Sequence, residues 1–203
     1  MPDTLMRVSG LGLERGGRKL LRDFDLDISG GDLLLIEGPN GSGKTTLLRT
    51  LAGLSSLGRV GEVQRHCEQL LYLGHRPGIK QLLTPRENLR WVCAAQGWDP
   101  SGIDAALAAV GLAGFGDVLS QHLSAGQQRR VNLARLYLGD ASQAGDSLWL
   151  LDEPFTAIDR DGVHALTETI AGQVRNGGAV ILTSHQDLPF ELPLRRVVLG
   201  AAA

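Results

Sequence analysis

The chain has 203 residues, 43% hydrophobic and 21% charged, with a formal net charge of −2. That length and composition suit one large domain or two small ones burying a full core. No basic stripe stands out for phosphate neutralisation, which argues against a nucleic-acid partner. No stretch approaches the ~20 apolar residues of a membrane span. The start, MPDTLMRVSG, lacks a basic segment followed by an apolar core, so no signal peptide is expected. Cys67 and Cys93 form no C-x-x-C pair and read as reduced, unpaired thiols.

In chain order, residues 5–13 read as a first strand and Gly16-Gly17 as its turn. Phe24, Leu26 and Ile28 alternate with Asp25, Asp27 and Ser29, the pattern of a half-buried antiparallel strand. Residues 33–36, LLLI, form a short apolar run suited to a buried strand. GPNGSGKTT follows at 38–46 and fits G-x-x-x-x-G-K-[ST]. A glycine-rich loop lets successive backbone N–H groups point at polyphosphate oxygens, and the helix behind it adds its positive end. Lys44 supplies a charge for the outer phosphates, and the Thr45 hydroxyl can ligate Mg²⁺. Leu47, Leu48, Leu51 and Leu54 then recur at helical spacing.

A break at 58–61 leads to a pair of strand-like stretches, 60–64 and 69–73. Thr84-Pro85-Arg86-Glu87 is a helix start: Thr84 caps, Pro85 suits the first turn, and Glu87 completes a capping box. That helix should run to about Gln96, a second from 101 to 110, and a third from Ser124 to about Leu138. Strand and helix then alternate again: a strand at 148–151, an amphipathic helix at 162–175, a buried strand at 179–183 and a last strand at 195–199. The expected architecture is a parallel α/β core with an antiparallel β flank and a helical insertion.

Three further stretches carry chemistry. LWLLDEP puts Asp152 and Glu153 at the end of a buried strand, where ligands of open α/β sheets sit. Asp152 can hold Mg²⁺, and Glu153 is placed to orient and deprotonate a water that attacks a γ-phosphate. His185 ends the strand 179–183 and can hydrogen-bond that phosphate. LSAGQ, 123–127, opens a helix with small residues and makes a second anion site of N–H groups and helix dipole. One chain already has a loop for its own nucleotide, so a second site makes sense if it serves another subunit.

Phosphate loop, helical insertion, LSAGQ, DEP and Ser-His occur in that order, and together they resemble the nucleotide-binding subunit of ABC transporters over nearly the whole chain. The resemblance implies an α/β P-loop NTPase core with antiparallel β and helical subdomains. It implies a single ABC nucleotide-binding domain over 1–203, with a helical subdomain at about 84–140. It also implies a homodimer that pairs head to tail around two ATP molecules, with Mg²⁺ held by Thr45 and Asp152. Each ATP would touch Gly38, Pro39, Asn40, Gly41, Ser42, Gly43, Lys44, Thr45 and Thr46 of one copy. It would also touch Ser124, Gly126 and Gln127 of the other, and Asp159 matches the segment crossing between the sites. Lys44, Glu153 and His185 would be the catalytic groups, converting ATP and water to ADP and phosphate.

More narrowly, LGHRPGIK, LTPRENL, GLAGFGD, LSAGQQRRVNLARL and LLDEPFTAID are similar to the ATP-binding subunits of bacterial cytochrome c maturation systems. That similarity implies an ABC-type haem translocase peripheral to the cytoplasmic face of the inner membrane, with membrane subunits of the CcmB, CcmC and CcmD type. No C-x-x-C-H occurs, so this chain is not expected to hold haem itself. Two alternatives stand beside haem export. One is an ATPase that releases a haem-loaded carrier or energises another membrane complex. The other, with fewer features in its favour, is a soluble ATPase acting on DNA or ribosomes, which usually adds coiled coils, a second nucleotide domain or basic segments. The chain departs from the general family twice. His75 stands where a Gln is usual, in the nucleotide site by position, but imidazole is a poorer Mg²⁺ ligand than an amide oxygen. Arg15 lies where an aromatic residue often stacks on adenine; a guanidinium can also stack on a base.

Overall fold

The computed structural model describes residues 4–200 apart from 57, 140–144, 157, 187 and 189. Two sheets organise it. β1 (Thr4–Arg15), β2 (Arg18–Ser29) and β4 (Arg59–Arg65) form an antiparallel sheet in the order β2-β1-β4. The second sheet combines β3 (Leu33–Glu37), β5 (Gln69–Leu73), β6 (Ser147–Asp152), β7 (Ala179–Thr183) and β8 (Arg195–Val198). Its order is β5-β6-β7-β3-β8, and every pair is parallel. The stretches at 60–64 and 69–73 are both strands, but they do not pair with each other. β4 joins β1, whereas β5 runs beside β6.

Alternation along each parallel strand divides the core into two faces. Leu34, Ile36, Leu148, Leu150, Ala179 and Ile181 pack with β1, β2 and the helix α1 (Lys44–Leu51). Leu33, Leu35, Leu151, Val180 and Leu182 pack with α5 (Arg160–Arg175). With both faces covered, the central strands are apolar along their length until the polar residues at their carboxyl ends, Asp152 and Thr183. Leu47, Leu48 and Leu51 are fully buried under α1, but Leu54 is 55% exposed. The helix ends before it, because Gly53 turns the chain at φ 73°.

A third apolar cluster joins α2 (Pro85–Gln96), α3 (Ile103–Ala109) and α4 (Ala125–Leu133). Thr84 and Glu87 make the expected capping box at the start of α2. The third helix stops earlier than its sequence suggests: α4 tightens into a 3₁₀ turn over Ala134–Tyr137.

Candidate active site

Parallel strands bring their carboxyl ends to one edge, and four of the five lead at once into candidate residues. β3 runs into the loop 38–46, β5 into Gly74-His75, β6 ends on Asp152-Glu153, and β7 on Thr183-Ser184-His185. Residues far apart in sequence are therefore neighbours in space.

The loop turns on Gly38 (φ 144°), Gly41 (φ 80°) and Gly43 (φ 100°), conformations open to glycine. A Cβ on Gly38 would lie 2.5 Å from the Leu199 carbonyl oxygen, so the end of β8 closes the back of the loop. Lys44 is buried, and its Nζ donates to the carbonyls of Gly38 (2.6 Å) and Pro39 (3.1 Å). The ammonium thus lies across the loop that its own helix begins.

Asp152 is 1% exposed. Its Oδ1 accepts a hydrogen bond from Thr183 Oγ1 at 3.0 Å, and its Oδ2 has no hydrogen-bond partner among the described residues. Ser42 Oγ, within the phosphate loop, is buried and likewise without a partner among the described residues. Buried polar atoms are rarely left so, because an unmet donor or acceptor costs ~1–3 kcal/mol. Both orphans suit a ligand: Asp152 Oδ2 fits a hard cation, and Ser42 Oγ fits a phosphate oxygen. Thr45, Asp152, Glu153 and His75 line one cavity of ≈ 480 Å³. Tyr72 lines it too. Burial, reinforced by the charge of Asp152, pushes its phenol up to about 12, so it stays neutral there.

Glu153 adopts φ 52°, a left-handed conformation unusual for a residue with a side chain. Such a residue costs roughly 1–3 kcal/mol and persists only where its surroundings hold it. Its N–H donates to Thr183 Oγ1 at 2.9 Å. Its carboxylate stands between two imidazoles: His185 Nε2 is 3.3 Å from Oε1, and His75 Nδ1 is 3.4 Å from Oε2. His185 thus stands beside Glu153 at the end of β7. His75 does more than its position in the sequence suggests, since its ring faces Glu153.

The signature residues lie elsewhere. Ser124 caps α4, accepting from the Gln127 N–H, while its own N–H donates to Gln127 Oε1. Among the described residues a Cβ on Gly126 would meet only Ser124 Oγ, at 4.0 Å, so their packing leaves that surface open. Asp159 caps α5 by accepting from the Gly162 N–H at 2.8 Å. Gly126 and Asp159 line a second cavity of ≈ 550 Å³, which shares no lining residue with the cavity around Asp152. Within one protomer the candidate site residues therefore form two separate groups.

Two contributors are not singled out by the sequence motifs. Thr183 is the one polar residue of an apolar strand, and its hydroxyl joins Asp152 to Glu153. Arg129, on α4, is 6% exposed. Its Nη1 donates to the carbonyls of Gly74 (3.0 Å) and His75 (2.8 Å). Its Nη2 donates to those of Asp152 (3.3 Å) and Glu153 (2.6 Å). Burial lowers its pKa, opposed by the charges of Asp152 and Glu153. The only sequence signal for Arg129 is a basic residue two places beyond the signature Gln127.

Residues 21–156 match the ABC transporter family, and the chain belongs to that family. It is thus an ATP-binding protein of the ABC ATPase type. Its similarity reaches further than the family motifs. It is 50% identical over 196 residues to the cytochrome c biogenesis ATP-binding export protein CcmA of Pseudomonas syringae pv. tomato, covering 90% of this chain and 89% of that one. It is 47% identical over 196 residues to the protein of the same description from Shewanella oneidensis, covering 92% and 88%. Among solved structures, an ATP-binding protein of a putative ABC transporter from Pyrococcus furiosus superposes with a TM-score of 0.76 at 25% identity, over 96% of each chain. A dimeric ATP-binding cassette bound to ADP and phosphate shares the fold, with a TM-score of 0.77 at 21% identity over 89% of this chain and 88% of that one.

Proposed function

We propose that the chain is the ATP-hydrolysing subunit of an export complex for cytochrome c biogenesis, with haem as the cargo. It would lie on the cytoplasmic face of a bacterial inner membrane, with integral membrane subunits of the CcmB, CcmC and CcmD type. No helix among the described residues is long and apolar enough to cross a membrane, so the proposal needs such partners. The likeness to the CcmA proteins supports this assignment.

The observation that carries the mechanism is the separation of the two groups of site residues. Lys44, Thr45, Asp152, Glu153, His185 and His75 gather at the strand ends, while Ser124, Gly126, Gln127 and Asp159 lie on other surfaces. A nucleotide on the phosphate loop is completed by the signature of a second copy placed head to tail. Backbone N–H groups of 38–46 and the Lys44 ammonium bind the phosphates. Thr45 and Asp152 would hold Mg²⁺, which would supply charge stabilisation on the phosphoryl oxygens. Glu153 accepts the proton of the attacking water, and His185 orients Glu153 and the outer phosphate. The whole chain acts as one nucleotide-binding domain with the helices of 84–140 as its subdomain.

Mixing two inactive variants tests the pairing. Gly126→Asp puts a carboxylate where the neighbouring ATP would sit, and its Cβ meets nothing closer than 4.0 Å among the described residues of its own chain. Lys44→Ala removes the phosphate contact of the loop. A mixed dimer has one doubly defective site and one intact site, so phosphate release returns on mixing. If mixed dimers form, a single site suffices in a control, and nothing returns, the head-to-tail reading fails. The export assignment is tested by purification from membranes: the chain should copurify with integral subunits whose presence, with haem, raises its ATPase rate. An ATPase indifferent to both would refute it.

A further inference from the structure

We infer that Arg129 is a positioning residue for hydrolysis: from the signature helix it clamps the backbone of its own protomer's Glu153 to the His75 loop. The inference rests on the paired reading above for its mixed-dimer test, but its single-variant test does not.

The geometry leaves Arg129 little other role. It sits on α4, yet its terminal nitrogens reach the loops after two different strands. One nitrogen spans Gly74 and His75, the other Asp152 and Glu153. These are one of the two residues that flank the Glu153 carboxylate, His75, and the backbone of Glu153 itself. Thr183 fixes the N–H of Glu153, and Arg129 Nη2 fixes its carbonyl. With both ends held, the left-handed turn at Glu153 is locked, and the direction of its side chain with it. The same guanidinium holds the backbone of His75, whose ring stands at Glu153 Oε2. A planar fork can serve both loops at once; a lysine ammonium is a compact point donor that cannot span them in that geometry. A shift of α4 therefore reaches the carboxylate that activates water. Because α4 also begins at Ser124 and Gly126, the helix that contacts the partner's nucleotide sets the pose of its own protomer's base.

The full-length chain carrying Arg129→Gln or Arg129→Lys tests this. A positioning role predicts unchanged MgATP affinity by calorimetry, a folded protein by thermal melting, and a kcat reduced between about 10- and 100-fold. The lysine variant should keep more stability than the glutamine variant yet recover little turnover. A purely structural role instead predicts a lowered melting temperature with parental kcat in the folded protein, which would overturn the inference. In the mixture of Gly126→Asp with Lys44→Ala chains, the intact site uses Glu153 of the Gly126→Asp chain and the signature of the other. Adding Arg129→Gln to the Gly126→Asp chain should cut the recovered activity by the same factor. Adding it to the Lys44→Ala chain should spare it. The reverse pattern would mean that Arg129 serves the signature's contact with nucleotide and not Glu153. If the parental mixture recovers nothing, the paired reading fails, while the kcat measurement still judges Arg129 within its own protomer.

Discussion

Thr183→Val isolates the hydroxyl that joins the two acidic residues. The side chain is 0% exposed, and valine matches it closely in shape. Two hydrogen bonds disappear: one to the Asp152 carboxylate at 3.0 Å and one from the Glu153 N–H at 2.9 Å. A bond to a charged group contributes ~1.5–3 kcal/mol and a neutral one ~0.5–1.5 kcal/mol. Asp152 Oδ2 already lacks a partner, so the variant leaves a buried carboxylate with no hydrogen bond from the described residues on either oxygen. The expected loss of stability is about 2–4 kcal/mol. For a chain of this size that lowers the melting temperature by roughly 4–16 °C. Urea unfolding gives the free energy, and the same samples give the ATPase rate, which should fall as Glu153 loses the hydrogen bond that holds its N–H. Thr183→Ser, which restores the hydroxyl, should recover most of both. A valine variant within about 0.5 kcal/mol of the parent, the scatter of ordinary surface substitutions, would refute the reasoning.

Other expectations follow from the same geometry. Glu153→Gln should retain ATP binding, nearly stop hydrolysis and accumulate an ATP-bound dimer on size exclusion; normal turnover would remove Glu153 from its role. Lys44→Ala should weaken MgATP binding itself, and unchanged calorimetric affinity would count against the phosphate-loop reading. His75→Ala should lower turnover, because Glu153 then loses one of the two imidazoles beside its carboxylate, while His75→Gln, with an amide donor, should recover most of it. Equal rates in the two variants would exclude an action through Glu153. Burial raises the Tyr72 phenol from 10.0 to about 12. The folded state therefore binds the proton more tightly than the unfolded one between those values, and this contribution to stability is present below pH 10 and lost as pH rises toward 12. An ultraviolet titration should show a late phenolate step that Tyr72→Phe removes.

Local chemistry made much of this protein legible in its sequence. GPNGSGKTT needs only neighbouring residues to build a phosphate loop, and Thr84 with Glu87 closes a capping box within one turn. Alternation in 24–29 and the apolar runs at 33–36, 148–151 and 179–183 report burial directly, because a strand's environment repeats every two residues. Contacts between elements have no such period. Nothing near 60–73 says that β4 and β5 part into different sheets; that follows from which edges remain free once β1 and β6 are placed. His75 meets Glu153 only because β5 and β6 run parallel, with their ends at the same edge. Arg129 lies 54 and 24 residues from the carbonyls of His75 and Glu153, and it looks like any helical arginine until α4 is packed over both loops. The chemical groups of the site are encoded locally, but their mutual geometry arises from parallel strand register and helix packing, and only the tertiary structure decides it.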